Sequence, residues 1–591
     1  MAEYRAPLND MTFALNELAG MAAIAELPGY EDATPDMVSA ILEEAAKLSG
    51  AVLGPLNEVG DRVGVKLSAD HAVPTPEGFK AAYRQYAEGG WGSLQFDPEF
   101  GGQGMPKLLA TAVTEMWQAA NLSFGLCPLL TQGAIEALQA NASDALKQAY
   151  LPRMVSGEWT GTMNLTEPQA GSDLAAIRCK AERQGDHYRI SGQKIFITWG
   201  EHDFTDNIVH LVLARLPNAP EGVRGISLFL VPKFLVNGDG SLGERNDCKA
   251  VSLEHKMGIH ASPTCVMSFG DNGGAIGYLV GQENKGLACM FTMMNNARLG
   301  VGLQGVAIAD RAYQHAVNYA RDRVQGPAPG QRQAGAIIQH PDVRRMLLTM
   351  RSLTEAARAL TYLAHAGLDY EHAGSAEQQA AQKVRVALLT PIVKGWGTEI
   401  AQEVTALGVQ VHGGMGFIEE TGAAQFQRDA RILPIYEGTN GIQAMDLVGR
   451  KTLFDQGAAM NDLLMEMGDL AAVAKGTRFA NEAAALAEAV AAMERVQAGL
   501  LAGSEADINL PGSIAFNYLM LAGTLCGAWL MLKSALAATA KIEAGDSDPF
   551  YVAKQATARF YFQQILPRYL SYAAICAAGS DGVMGLEDAQ F

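Results

Sequence analysis

The chain has 591 residues, is 49% hydrophobic and 18% charged, and carries a formal net charge of −18. That length is expected to hold three or four domains and a large core without covalent staples. The acidic balance argues against a nucleic-acid binder, which needs a basic face against phosphates. The seven cysteines (Cys127, Cys179, Cys248, Cys265, Cys289, Cys526 and Cys576) include no C-x-x-C pair. Neither a disulfide framework nor a zinc site is expected, and a reducing compartment fits.

Taken in order, the N-terminal MAEYRAPLND lacks the apolar stretch of a secretory signal, so a cytoplasmic location is expected. Residues 1–38 are an N-terminal extension. Residues 39–160 read as helical, because PDMVSAILEEAAKLS and the Ala-rich stretch Leu108 to Leu138 repeat their apolar residues at helical spacing. The turn-rich FDPEFGGQGMP divides them. At residues 161–282 the period changes. HYRISGQKIFITWG, NIVHLVLARL and GISLFLVPKF are short β-type runs with no helical pattern between them, and they predict an antiparallel β domain.

Residues 283–455 return to helices, and residues 456–591 form a further Ala-rich helical domain. Ile514 to Leu532 carries no charge and approaches the length of a membrane span. Asn517 and Thr524 interrupt it, and a buried core helix is the expected form, with no integral membrane segment. The sum is an α+β multidomain chain: helical, β, helical, then helical again.

Five places invite chemistry. In MNLTEPQAGSDLAA, backbone N–H groups near Gly171 and Ser172 could hold an anion. Spacing alone favours an ordinary turn with Asp173 as a cap. In QKIFITWG, Phe196 and Thr198 share a strand face that suits a flat heteroaromatic cofactor, although a cross-strand packing pair is the commoner explanation. In QVHGGMGF, paired glycines allow close backbone approach, yet the run is not G-x-G-x-x-G and no βαβ unit surrounds it. His412 there is expected to be structural, with no metal ligand beside it. Arg298 lies in an otherwise uncharged helix, either at a surface or as a buried charge near a site. Glu437, in ILPIYEGTNGIQ, has no basic residue between Arg431 and Arg450. It is either an acid favoured by a helix dipole or a carboxylate in an apolar pocket, where desolvation makes a base suited to a carbon acid.

LTEPQAGSD, SGQKIFITWG, QVHGGMGF and RDARILPIYEGT in this order, with PEFGGQG upstream, resemble the acyl-CoA dehydrogenase family over roughly residues 40–450. The length and the opening YRAPLNDMTFALNEL are similar to its longer subfamily with an added C-terminal helical domain. The resemblance implies FAD, an acyl-CoA substrate oxidised to its trans-2-enoyl-CoA, and an electron-transfer flavoprotein as acceptor. It implies Glu437 as the catalytic base, with its own backbone N–H and a flavin ribityl hydroxyl on the thioester oxygen. Thr166 and Thr198 match positions that hydrogen-bond the flavin ring, Phe196 the aromatic that packs on it, and Ser172 a residue at the pyrophosphate. Arg323, Gln410, Gly413 and Gly414 match positions that hold the adenosine-diphosphate end across a subunit interface. Thr439 matches a position near the flavin, and Arg298 and Gly438 fall on the substrate side.

Some members place the base just before the arginine. Here that residue is Ala297, which leaves Glu437 without a rival. Asn164, Gln425 and the stretch QGPAPGQRQAG depart from the family pattern. The expected substrate is 3-methylmercaptopropionyl-CoA, of dimethylsulfoniopropionate breakdown. The alternatives are a straight-chain fatty acyl-CoA, an oxidase using oxygen, or a non-catalytic flavoprotein. A homodimer is expected, with a tetramer as the alternative.

Overall fold

The change of period near residue 160 is a change of secondary structure. The computed structural model describes residues 3–591, which divide into two units. One comprises Glu44–Met105 and Met116–Gly300; the other comprises residues 3–43, Pro106–Glu115 and Val301–Phe591.

In the first unit, helices Leu122–Asn141 and Asp144–Val155 start on capping side chains: Asn121 accepts from Phe124 N at 3.1 Å and Ser143 from Leu146 N at 3.4 Å. Ten strands follow: β1 Trp159–Asn164, β2 Lys180–Gln184, β3 His187–Thr198, β4 Asn207–Arg215, β5 Ile226–Pro232, β6 Phe234–Val236, β7 Leu242–Arg245, β8 Cys248–Leu253, β9 Thr264–Phe269 and β10 Ala275–Val280. The main sheet runs β1-β4-β5-β10-β3-β9-β8, with β2 beside β3. It is antiparallel apart from two pairings with β4. β1 runs parallel to β4, from Trp159↔Asn207 to Asn164↔Val212, and β2 meets it at Lys180↔Arg215. The parallel pair is possible because a long crossover joins the two strands.

β4 and β5 are buried on both faces, which is why their sequences are near-continuous apolar runs. Leu211, Leu213, Leu228 and Leu230 pack with Ile135, Leu138, Leu151 and Met154 of the helices. Val212, Phe229 and Val231 point the other way, onto Ile190, Met267 and Phe269.

The second unit is helical. It contains the end of α1 (Gly286–Asp322), α2 (Pro341–Ala373), α3 (Ala376–His412), α4 (Asn440–Met445), α5 (Ala458–Ala474), α6 (Ala480–Gly503), α7 (Leu510–Glu543), α8 (Pro549–Phe560) and α9 (Arg568–Ala577). Glycines set its closest crossings. A Cβ on Gly302 of α1 would sit 2.4 Å from Val393 of α3, and one on Gly305 would sit 2.6 Å from the Gly397 carbonyl. Helix α7 is long and apolar enough by composition to cross a membrane, but its apolar window is 83% buried within the protein. It is a core helix, as the interrupting Asn517 and Thr524 suggested.

A buried charge network ties the unit together. Arg358 of α2 bonds Glu115 at 2.7 Å, Asp310 at 3.1 Å and Asp10 of the N-terminal segment. Lys554 of α8 joins Asp10 to Glu355, the latter at 2.9 Å. Burial pushes the Asp10 carboxyl up, but Lys554 and Arg358 outweigh it and hold the group well below the usual range. Asp310 is pushed up to about 6 by burial, with Arg358 opposing.

Candidate active site

Within the sheet unit, the loop after β1 is locked to β3 by buried charge. Lys194 of β3 is fully enclosed, and its Nζ donates to the Leu165 carbonyl at 3.0 Å and to Glu167 Oε1 at 2.8 Å. The Glu167 carboxylate also accepts from Gln169 Nε2 at 2.7 Å, Arg178 N at 2.6 Å and Cys179 N at 3.1 Å. Burial raises its pKa, but the Lys194 ammonium, with the Arg178 and Cys179 N–H groups, prevails and holds it low. Ile195 N donates to the Thr166 carbonyl at 2.9 Å. Thr166 is thereby fixed beside the segment that carries Phe196.

That segment is not a regular strand. The β3–β9 pairing shifts register between Lys194 and Ile197, and Phe196 has φ +60°. The bulge breaks the simple alternation that would place Phe196 and Thr198 on one face, and it leaves the Phe196 ring 58% exposed. Thr198 pairs with Thr264. Trp199 is also left-handed, at φ +53°, but buried; its N–H donates to the Pro263 carbonyl at 2.7 Å and its Nε1 to the Ser123 carbonyl at 3.2 Å. Left-handed non-glycine residues cost about 1–3 kcal/mol each and persist where surroundings over-determine them.

Ser172 and Gly171 sit on an exposed turn, and a Cβ on Gly171 would meet nothing within 4 Å. Asp173 caps the turn that follows, accepting from Ala175 N at 2.9 Å. Arg298 is buried.

Within the helical unit, the ends of α1 and α3 meet through rings. His412 stacks against Tyr319 at 4.4 Å and His315 at 4.6 Å. Its Nδ1 lies 2.7 Å from the Gly408 carbonyl, and burial lowers its pKa. It is a structural histidine, and no metal-binding cluster exists among the described residues. This packing places exposed Arg323, just past α1, in the same helix-end region as exposed Gln410, Gly413 and Gly414. A Cβ on either glycine would meet nothing within 4 Å.

Glu437 and Gly438 form the other feature. Both are left-handed, at φ +54° and +81°. Asn440 N donates back to the Pro434 carbonyl at 2.9 Å, which closes the loop. Thr439 Oγ1 caps α4, accepting from Ile442 N at 3.2 Å. The Tyr436 hydroxyl bonds Gln304 of α1. Glu437 is half-buried. Leu433 is enclosed, whereas Ile435 and Ile442 are 48% and 39% exposed. Two apolar residues thus present surface on the segment that carries the carboxylate.

Each unit, taken by itself, carries groups that suit part of a large flat cofactor with a diphosphate. The sheet unit offers an exposed aromatic ring, hydroxyls, and an open turn at Gly171 and Ser172. The helical unit offers an arginine and two unobstructed glycines. Sequence reasoning missed Glu167, Lys194, Gln304 and Asn440. Each makes its contact with a residue distant in the chain, so no local pattern marks it.

Four domain families match the chain. Acyl-CoA dehydrogenase N-terminal, middle and C-terminal domains match residues 63–158, 162–272 and 284–452, and an acetyl-CoA dehydrogenase C-terminal-like domain matches residues 463–587. The 3-methylmercaptopropionyl-CoA dehydrogenase of Ruegeria pomeroyi is 51% identical over 95% of this chain and 96% of its own. A butyryl-CoA dehydrogenase of Syntrophomonas wolfei is 38% identical over 95% of each. The crystal structure of an acyl-CoA dehydrogenase complexed with FAD from Bacillus anthracis shares the fold, with a TM-score of 0.74 at 22% identity over 96% of this chain and 91% of that one. The chain belongs to the acyl-CoA dehydrogenase family and is an FAD-dependent oxidoreductase of acyl-CoA thioesters.

Proposed function

We propose that the protein dehydrogenates 3-methylmercaptopropionyl-CoA across its α,β bond, giving the 2-enoyl thioester, in dimethylsulfoniopropionate breakdown. The near-full-length similarity to the Ruegeria pomeroyi enzyme carries this reading. Glu437 is the base that takes the α-proton. Its carboxylate stands on a left-handed bend whose ends are fixed by Tyr436–Gln304 and by Asn440, so it is held before substrate arrives. Covering Ile435 and Ile442 with the substrate removes water from around the carboxylate and strengthens it as a base. The backbone N–H of Glu437 donates to the thioester oxygen as enolate charge develops there. FAD, when bound, accepts the β-hydrogen as hydride.

Thr166, Thr198 and Phe196 hold the flavin ring, and Ser172 its pyrophosphate. Arg323, Gln410, Gly413 and Gly414 hold the adenosine-diphosphate end across a homodimer interface. Thr439 fixes the loop end, and Gly438 and Arg298 serve the substrate side. An electron-transfer flavoprotein reoxidises the enzyme in the cytoplasm. A straight-chain acyl-CoA is the second reading, favoured by the likeness to the butyryl-CoA enzyme.

Anaerobic bleaching of the yellow holoenzyme by a panel of acyl-CoAs separates the two. The thioether substrate is expected to bleach fastest. Faster bleaching by butyryl- or palmitoyl-CoA would assign the enzyme to β-oxidation, and peroxide release in air at the full turnover rate would make it an oxidase.

A further inference from the structure

The loop that carries Glu437 is stitched to a single turn of α3. Asn440 is buried, and its side-chain amide faces that turn: Oδ1 accepts from Lys394 Nζ at 2.8 Å, while Nδ2 donates to the Gly395 carbonyl at 3.2 Å, Thr398 Oγ1 at 3.0 Å and Glu399 Oε1 at 2.8 Å. Lys394 is itself fully enclosed. The Thr398 hydroxyl donates to the Lys394 carbonyl at 2.8 Å, so the socket is bonded within itself.

The same turn bears on the added C-terminal domain. A Cβ on Gly395 would lie 2.6 Å from Leu519 Cδ1 of α7, and a Cβ on Gly523 of α7 would lie 2.2 Å from Cγ of Trp396. Trp396 is among the most enclosed side chains of the protein. Helix α4, which begins at Asn440, packs on both α3 and α7. Thr452, further along, meets Tyr518 of α7 at 3.2 Å. The turn 394–399 and the helix after the base therefore share one backing element.

We propose that the C-terminal domain, through Leu519 and Gly523 of α7, positions Glu437 for proton abstraction. Helix α7 fixes the turn 394–399 of α3, that turn holds Asn440, and Asn440 holds the left-handed backbone at Glu437. Lys394, Asn440 and Leu519 are positioning residues, and the proposal rests on Glu437 being the base. The strained backbone gives the chain of contacts its force: a left-handed glutamate relaxes unless its surroundings forbid it. Close knob-into-glycine packing transmits small displacements instead of absorbing them.

The test uses full-length, FAD-loaded protein: wild type, Leu519→Ala, Gly395→Ala, the double variant, and Glu437→Gln. The readout is the anaerobic bleaching rate at saturating acyl-CoA, with substrate affinity, FAD content and the isotope effect of α-deuterated substrate. Leu519→Ala is expected to slow bleaching roughly 10- to 100-fold, as a misplacement of about 1 Å does. FAD content and affinity should hold within about twofold, and the isotope effect should persist. Gly395→Ala is expected to slow bleaching too, and the double variant to recover part of the rate, because the new methyl then has room. Unchanged saturated rates in Leu519→Ala, or a loss confined to FAD content or thermal stability, would overturn the proposal. If Leu519→Ala fails to fold, Asn440→Ser gives the same reading from the other end of the chain of contacts. Bleaching retained in Glu437→Gln would overturn the assignment of the base instead, so the two failures are distinguishable.

Discussion

Phe196 and Glu437 share an unusual property: each is a functional candidate held at positive φ, at +60° and +54°. Their motifs marked them in the sequence, but their backbone sign did not show. It goes with a register shift against β9 in one case and with a loop closed by Asn440 N on the Pro434 carbonyl in the other. Because Phe196 is 58% exposed, Phe196→Ala should change apoprotein stability by no more than about 0.5 kcal/mol. The same change should speed FAD dissociation, which loss of FAD absorbance on gel filtration would show. A variant that is clearly destabilised as apoprotein yet retains FAD as the wild type does would contradict a cofactor role for the ring.

At the scale of elements, the Lys194–Glu167 pair joins the exit of β1 to β3 across 27 residues of sequence. Removing one partner of an enclosed ion pair leaves the other charged and dry. Lys194→Met should therefore cost about 3–5 kcal/mol and weaken FAD retention, read by denaturant titration with and without FAD. A cost below about 1 kcal/mol, typical of exposed pairs, would sink this reading. The strands themselves were legible, because β4 and β5 are near-continuous apolar runs. The parallel β1–β4 pairing was not, since pairing partners leave no mark in a single sequence. Glu167 was hidden for the same reason: in LTEPQAGSD it reads as a turn residue until the register brings Lys194 beneath it.

At the scale of the molecule, the helix–sheet–helix order and the added helical domain could be read from period alone. The link from Asp10 to Lys554, separated by 544 residues, could not. Lys554→Met should destabilise the helical unit by about 3–5 kcal/mol through the stranded carboxylates of Asp10 and Glu355. Acid should also destabilise the protein. Burial lowers His210 to about 3, and His315 and His365 to about 4. These imidazoles stay neutral when folded, while the unfolded chain binds their protons from about pH 6.5. Their contribution is intact above that pH and lost as pH falls toward 4. Asp310 and Asp369, pushed up to about 6 by burial, act in the opposite sense, but they are fewer and begin to titrate later. The Tm should fall between pH 7 and pH 5; a rise would contradict this balance.

The central claim is that Glu437 removes the α-proton, and rapid anaerobic mixing of FAD-loaded Glu437→Gln with 3-methylmercaptopropionyl-CoA tests it most directly. The expected result is a flavin spectrum perturbed by binding but not bleached, beside rapid bleaching of the wild type. Bleaching of the variant at the wild-type rate would show that another group takes the proton.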